Sequence, residues 1–437
     1  MIADTGIWNP IEECRARGDL RALQLARLKQ TVRLVYDALP FYGERFRQAS
    51  VRPDDIRSLE DVRRLPFLNK EDLRDHFPYG LLASPMRDVV RVHASSGTTG
   101  RPTVVGYTRA DLDAWAELVA RIAFAAGARP DDIAQVSFGY GLFTGAFGLH
   151  YGLERIGATV LPVSGGNTRR QVEIMQMFGS TVLVCTPSYA LHLAEIAGDM
   201  GLRPGDLALR LGLFGAEPWS DSMRREIEAK LGIRATDNYG LSEVIGPGVS
   251  GECERQDGLH IQEDHFLVEV IDPDTLEPVS PGERGELVFT SLCKEAFPVV
   301  RYRTRDLSYL YAEPCSCGRT FVRMARVTGR TDDMLIVRGV NVFPSQIEAV
   351  LLEIEGTEPH YQIVVERQGT LDEITVDVEV ADSVFTDQAK GLYALRERIR
   401  QRLATVLGIS VEVRLAEPRS IERSAGKARR VVDKRLT

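Results

Sequence analysis

The segment Ser95-Ser96-Gly97-Thr98-Thr99-Gly100-Arg101-Pro102-Thr103 concentrates groups that can bind an anion. Two glycines let the backbone fold tightly so that its amides converge, and four hydroxyl side chains, from Ser95 to Thr99, add donors to the same concavity. Such a loop fits a polyphosphate. It is not a Walker loop, because the Gly-x-x-x-x-Gly-Lys-Ser/Thr spacing is absent. A second constellation is chemically distinct: Cys315-Ser316-Cys317 sits in a Pro/Gly turn, and Cys253 and His260 occur earlier with six residues between them. These four make a Cys₃His set adequate for tetrahedral Zn²⁺, and we expect a structural metal there. A third is aromatic. Tyr140, Phe143 and Phe147 cluster in a glycine-rich stretch, and glycines beside aromatics leave room for a flat ring. Finally, Lys427 lies in a basic tail with Arg419, Arg423, Arg429, Arg430, Lys434 and Arg435, which alone would read as a solvated terminus or an anion patch.

The Ser/Thr/Gly loop resembles the phosphate loop of the acyl-adenylate-forming (ANL) superfamily. Arg101-Pro102-Thr103-Val104-Val105-Gly106-Tyr107 looks like that of its phenylacetate–coenzyme A ligase branch, which similarly lacks the lysine many relatives carry after the proline. The resemblance covers nearly the whole chain. It runs in the expected order through Phe138-Gly139-Tyr140-Gly141-Leu142-Phe143, Phe214-Gly215-Ala216-Glu217-Pro218-Trp219, Asn238-Tyr239-Gly240-Leu241-Ser242-Glu243, Tyr302-Arg303-Thr304-Arg305-Asp306 and Gly329-Arg330-Thr331-Asp332-Asp333, and closes at Ser424-Ala425-Gly426-Lys427. Many members of the family lack the cysteines.

The resemblance implies roles that the chemistry makes sensible. Activating a carboxylic acid with ATP means attack by a weak oxygen nucleophile on an α-phosphorus already surrounded by negative charge, so charge neutralisation and alignment must dominate. Ser95, Ser96, Gly97, Thr98, Thr99 and Gly100 would cradle the β- and γ-phosphates. Ser242 would contact the α-phosphate, and Glu243 would hold Mg²⁺, a hard ion that prefers oxygen ligands. Asp306 offers two acceptor oxygens to the two ribose hydroxyls, with Arg330 supporting the same sugar. Ala216, Glu217 and Pro218 with Asp237, Asn238 and Tyr239 would form the adenine slot. Tyr140, Phe143, Phe147, Gly240, Ile245 and Pro247 would line the acyl pocket. Lys427 would bridge the substrate carboxylate and the α-phosphate. Asp332 sits where the superfamily places its hinge, about which the small domain would rotate before the CoA thiol approaches.

These residues need elements to hold them. Short β-rich runs at Thr159–Val163, Thr181–Thr186 and Leu209–Phe214 alternate with helical stretches at Arg109–Ala126, Arg169–Phe178 and Ser220–Leu231, which implies βα units and parallel sheet. Runs at Phe266–Ile271, Glu286–Ser291 and Leu307–Tyr311, joined by Pro/Gly turns, read as an antiparallel subdomain. After about residue 333 the pattern restarts: a helix near Pro344–Glu353, strands near Tyr361–Glu366 and Glu373–Val380, a helix near Asp387–Leu407 and a strand at Ile409–Leu415. Near the start, Leu20, Leu23, Leu28, Val32, Val35 and Leu39 fall at helical spacing up to Pro40.

Composition bounds the rest. The 437 residues are 44% hydrophobic and 27% charged, which excludes a mainly disordered or collagen-like chain. With 54 basic and 62 acidic residues the net charge is −8, which argues against broad nucleic-acid binding or adhesion to an anionic membrane. Six dispersed cysteines, no long apolar run and no basic, apolar leader point to the cytoplasm. The expectation is therefore an α/β protein: a large multi-subdomain N-terminal domain (1–329), a hinge (330–333) and a smaller α+β C-terminal domain (334–437). Its activity would be that of an ATP-dependent aryl or arylacetic acid:CoA ligase using ATP, Mg²⁺ and CoA, with an aromatic carboxylic acid as partner and neither nucleic acid nor membrane. A homodimer is one assembly the resemblance allows. Benzoate- or anthranilate-type acids, a carrier-protein acceptor, or a non-catalytic zinc-containing metabolite-binding protein remain as alternatives.

Overall fold

The computed structural model describes residues 6–95, 102–332, 335–337, 340–368, 371–385, 389–423 and 430–435. Ser96, Gly97, Thr98, Thr99, Gly100 and Lys427 therefore lie outside the described residues. The chain forms two compact units. The first comprises Met1–Cys185, Leu207–Ala216 and Arg234–Arg326; the second comprises Thr186–Asp206, Glu217–Ile233 and Val327–Thr437.

An eight-stranded sheet organises the first unit. Thr159–Leu161, Ile133–Val136, Val182–Cys185, Leu211–Gly215 and Arg234–Leu241 lie side by side in parallel, and Gly246–Glu252, Leu259–Ile261 and Arg323–Met324 extend it antiparallel. Every residue of Val182–Cys185 and Leu211–Gly215 is buried. That explains why these runs read as continuously apolar rather than alternating. The helix Arg109–Ala126 begins where expected because Thr108 and Asp111 cap each other: Thr108 Oγ1 accepts from the Asp111 amide at 3.1 Å, and Asp111 Oδ2 accepts from the Thr108 amide at 3.0 Å. The next helix, Gly145–Ile156, packs so closely on it that a Cβ on Gly152 would lie 2.4 Å from Val119 Cγ1.

A three-stranded antiparallel sheet, Phe266–Ile271, Gly285–Ser291 and Tyr302–Ser308, completes this unit with the hairpin Arg91–Ala94/Val104–Tyr107. Here the sequence expectation of a strand at Leu307–Tyr311 is corrected: the strand starts five residues earlier and runs through the polar Tyr302-Arg303-Thr304-Arg305-Asp306. The polarity hid a buried strand because its charge is matched internally. Arg303 makes a two-pronged bond to the fully buried Glu286, Nε to Oε1 at 3.1 Å and Nη2 to Oε2 at 2.6 Å, and Glu286 Oε1 also accepts the Arg305 amide at 3.2 Å.

The second unit has its own core. A four-stranded sheet is ordered Glu412–Ala416, Leu371–Val380, Thr357–Gln368, Val431–Asp433, with the middle pair antiparallel and both outer pairs parallel. Ile374, Val376, Val378 and Val380 point into that core, as their alternation predicts. In the helix Ala389–Leu407 the stripe Leu395, Ile399 and Leu403 is buried but closes on Leu407; Val406 is exposed. The helices Pro187–Asp199, Asp221–Leu231 and Pro344–Leu352 belong to the same unit. Among the described residues no helix is long and apolar enough to cross a membrane.

Because Glu286 is fully buried against Arg303, truncating it leaves a guanidinium in the interior without its carboxylate. Glu286→Ala should cost about 3–5 kcal/mol, and most of that should return in Glu286→Leu/Arg303→Met, where neither charge remains. Urea unfolding of the three proteins checks this; a single-variant loss below about 1 kcal/mol would place the pair at the level of a surface contact.

Candidate active site

Strand ends and their turns in the first unit bring several of the expected residues together. Ser95 closes the Arg91–Tyr107 hairpin, its amide bonding to Thr103 O at 2.9 Å and its Oγ accepting the Thr103 amide at 3.2 Å. The two residues thus fix the base of the loop. The Ala94 amide bonds to Leu142 O at 2.8 Å, which ties the hairpin to the glycine-rich 138–143 segment. Thr144 at the end of that segment shares a hydrogen bond with Ser242, Oγ1 to Oγ at 3.1 Å. Loop base, pocket segment and Ser242 are in this way joined by direct contacts.

Glu243 follows, buried, with the Lys70 ammonium 3.8 Å from its carboxylate. Buried carboxylate oxygens are the hard donors Mg²⁺ prefers, so Glu243 fits the proposed ion. Gly240 sits where the sheet bulges between Tyr239 and Gly240; a Cβ there would fall 1.8 Å from Gly246 O, so only glycine allows the strand to turn back on itself. Tyr239 donates its hydroxyl to Asp306 Oδ2 at 2.6 Å, linking the end of the large sheet to the antiparallel one. Asn238 Nδ2 donates to Phe214 O at 2.5 Å, and the Asp237 amide donates to Glu252 Oε2 at 2.9 Å. Two non-glycine residues adopt left-handed backbone conformations here, Ala216 with φ +72° and Arg305 with φ +68°. Such conformations persist only where the surroundings over-determine them, and they gather at functional sites.

The residues expected to line an acyl pocket are partly packed together and partly exposed. Tyr140 and Phe147 meet edge to face, centroids 5.2 Å apart. Ile245 and Pro247 contribute through their carbonyls, which accept Tyr107 OH at 2.9 Å and Trp115 Nε1 at 2.6 Å. The Phe143 side chain is half exposed. Residues outside the expected set pack around Tyr140 and Phe147. His93 packs against Tyr107, Trp115 and Phe147, with centroids 5.5–5.7 Å away. Burial lowers the pKa of the His93 imidazole, which keeps it neutral. Arg91 stands over the rings of Phe147 and Tyr151, and Tyr140 OH bonds to His150 Nδ1 at 2.9 Å. Burial raises the Tyr140 phenol. Arg91, His93, Trp115, His150 and Tyr151 belong to no motif; they come from a hairpin and two helices, and only folding assembles them.

Lys294 is the most unusual of the missed residues. Its ammonium sits 3.5 Å from the centroid of the Tyr107 ring, is buried, and has no hydrogen-bond partner among the described residues. Burial pushes it down to about 7, with Asp111 opposing.

The second unit carries the remaining expected residues. Glu217 Oε1 accepts the Ser188 amide at 2.7 Å in the first turn of the helix Pro187–Asp199, where a carboxylate is favoured by the helix dipole. Pro218 follows it. Arg330 and Asp332 are bound to each other, Nε to Oδ1 at 2.8 Å and Nη2 to Oδ2 at 2.9 Å. The sequence reading gives them separate roles and does not anticipate this pairing.

Parallel sheet, antiparallel subdomain and a four-stranded C-terminal sheet, with hydroxyl, carboxylate and aromatic groups at the strand ends, make up the acyl-adenylate-forming fold. The chain belongs to the AMP-binding enzymes: the model of that family matches residues 17–293, and the model of the AMP-binding enzyme C-terminal domain matches residues 339–435. Within them it falls in the phenylacetate–coenzyme A ligase family. It is 52% identical to the phenylacetate-coenzyme A ligase of Thermus thermophilus over 98% of this chain and 100% of that one, and 50% identical to that of Escherichia coli over 100% and 99%. Among solved structures, 2-hydroxyisobutyryl-CoA ligase in its postadenylation state with 2-HIB-AMP is 33% identical with a TM-score of 0.94, covering 100% of this chain and 94% of that one. The same ligase with 2-HIB-AMP and CoA in its thioesterification state gives 0.74 at 34% identity, with the same coverage.

Lys294 gives a pH signature. Between about 7, where the folded chain releases this proton, and its ordinary value of 10.5, where the unfolded chain does, the unfolded state binds more protons. Stability then rises with pH across that window, and the burial penalty is fully present below it. Lys294→Met should therefore gain stability relative to the parent at pH 6 and lose part of that advantage by pH 9.5, as read by thermal unfolding. A difference independent of pH would mean that the amine is not held neutral by burial.

Proposed function

We propose that the protein is an AMP-forming phenylacetate:CoA ligase working in the cytoplasm. In the first half-reaction the carboxylate oxygen of the acid bonds to the α-phosphorus of ATP and pyrophosphate leaves, giving an acyl-AMP. In the second, the CoA thiol bonds to the acyl carbonyl carbon and AMP leaves. The observation that carries this reading is identity of about half, over essentially the full length, to ligases named for phenylacetate, in a chain whose Tyr140, Phe147, His93, Tyr107 and Trp115 rings pack in one cluster.

Each chain residue has a task in that reading. Ser95 and Thr103 hold the hairpin that presents Ser96–Gly100 to the phosphates, and Ser242 contacts the α-phosphate. Mg²⁺ held by Glu243 would neutralise charge on the triphosphate. Asp306, kept in place by Tyr239, takes the ribose hydroxyls with Arg330. Ala216, Glu217 and Pro218, with Asp237, Asn238 and Tyr239, take the adenine. Tyr140, Phe143, Phe147, Gly240, Ile245 and Pro247 shape the acyl pocket, and Lys427 bridges carboxylate and α-phosphate as charge develops. The domains are read as 1–329 and 334–437, with Asp332 the hinge that lets Lys427 withdraw before the thiol arrives. A relative solved in two states, matched with TM-scores of 0.94 and 0.74, supports that reading.

ATP–pyrophosphate exchange should favour phenylacetate over benzoate by about tenfold or more in kcat/KM, the discrimination one methylene allows, with thioester formed on free CoA. Equal use of benzoate, or exchange without CoA thioester, would move the assignment to a benzoate-type ligase or to a carrier-protein acceptor.

The two half-reactions can be measured separately. Lys427→Ala should slow adenylation by about a hundredfold or more yet leave thioester formation from pre-made phenylacetyl-AMP nearly intact, whereas Asp332→Pro should stall only one of the two. Equal losses in both half-reactions for Lys427→Ala, or normal rates in both for Asp332→Pro, would remove the respective role.

A further inference from the structure

The Cys₃His set expected from spacing is assembled by the fold, and none of its four members is assigned to ATP or acid. Cys253 follows the strand Gly246–Glu252, His260 is the middle residue of Leu259–Ile261, and Cys315 and Cys317 come from the connection between Tyr302–Ser308 and Arg323–Met324. Cys253 Sγ and Cys315 Sγ are 3.8 Å apart, Cys317 Sγ and His260 Nε2 are 3.4 Å apart, and all four ligand atoms lie within 4.8 Å of one another.

Those separations decide between bonding schemes. A disulfide would need sulfurs at about 2.05 Å, and it would leave the other thiol and the imidazole without a reason to converge. A tetrahedral ion with Zn–S of about 2.3 Å and Zn–N of about 2.0–2.1 Å spaces its sulfurs at about 3.8 Å and sulfur from nitrogen at about 3.5 Å, matching both measured edges. Cys253, His260 and Cys315 are buried and Cys317 is partly buried. His260 turns Nε2 toward the sulfurs while Nδ1, also buried, has no partner among the described residues. The ring is therefore oriented from the sulfur side.

We infer that Cys253, His260, Cys315 and Cys317 bind one structural Zn²⁺. Four protein ligands close the coordination sphere, so the ion takes no part in catalysis, and soft thiolates with one imidazole in a tetrahedron select zinc over hard cations. The site staples the connection between Ser308 and Arg323, which starts two residues after Asp306, to the edge of the large sheet. The same connection holds the start of the chain: Arg319 Nε bonds to Glu13 Oε2 at 2.6 Å with both side chains buried, and the Thr320 amide donates to Glu13 O at 3.0 Å. Zinc would thus fix the course of the chain that follows the strand carrying Asp306.

Elemental analysis of the full-length protein, purified without chelator, should give about one Zn²⁺ per chain, and His260→Ala or Cys317→Ala should bring this below about 0.2. Removing zinc from the parent with a strong chelator should lower its melting temperature, and added Zn²⁺ should restore it. If neither variant folds, the metal count and chelator response of the parent protein decide. The inference is overturned by a parent count below about 0.2, by iron in place of zinc, by variants that keep the metal, by a mapped Cys253–Cys315 disulfide, or by a melting temperature that ignores zinc removal. Adenylation activity enters none of these readings.

Discussion

The hydrogen bond from Tyr239 to Asp306 joins two sheets that have no strand in common, and the rest of the first unit is arranged so that it can form. Tyr239 stands at the end of a parallel strand, after which the chain bulges at Gly240 and reverses toward Ser242 and Glu243. Asp306 stands on an antiparallel strand whose arginines are drawn inward by Glu286. A buried carboxylate is costly unless it is bonded. The phenol provides one bond, and the Asp306 amide is held by Thr304 Oγ1 at 3.0 Å. With the side chain fixed, the paired hydroxyls proposed for it would meet acceptors already oriented, which would lower the ordering cost of binding.

Backbone strain follows the same logic. Ala216 and Arg305 both occupy left-handed conformations, one just after a fully buried parallel strand and the other just before Asp306. Each lies between well-fixed neighbours: Asn238 bonds to Phe214 O on one side, and Glu286 grips the Arg305 amide on the other. The cost of such conformations, of order 1–3 kcal/mol each, is carried by packing around them. Both fall in segments recognisable from the sequence, which gives those segments a conformational reason to keep their order as well as a chemical one.

Much of this is legible in the residues. The parallel strands read correctly because burial on both faces leaves continuous apolar runs, and the helix Arg109–Ala126 because its cap is local. The motif segments name Ser95, Ser242, Glu243, Tyr239 and Asp306; all five lie in the first unit, where Tyr239 bonds to Asp306. What stays hidden depends on long-range pairing. The strand at Tyr302 looks like a polar loop until Glu286 is placed opposite it. His93, Trp115 and Lys294 belong to no motif, since a buried imidazole or ammonium over an aromatic ring is defined by what surrounds it.

The basic tail shows how charge counting and geometry part ways. Counted along the sequence, Arg419 to Arg435 is a cationic run that could serve any anion. In the structure its described members are matched one by one. Arg423 grips Glu379 with both Nη atoms, at 2.6 and 2.8 Å, and Arg430 lies over the Tyr361 ring with Glu348 at 3.7 Å. Arg419 pairs with Asp199, Lys434 with Glu366, and Arg435 with Asp433 and Asp372. A tail whose charges are neutralised internally makes a poor general anion patch. It does make a frame: Arg423 and Arg430 bracket the segment that contains Lys427, and from Arg430 the chain enters the edge strand Val431–Asp433, registered on Ile363–Val365. Charges fixed on both flanks, Arg423 on Glu379 and Arg430 beside Glu348, tie the described ends of that segment to the same small unit.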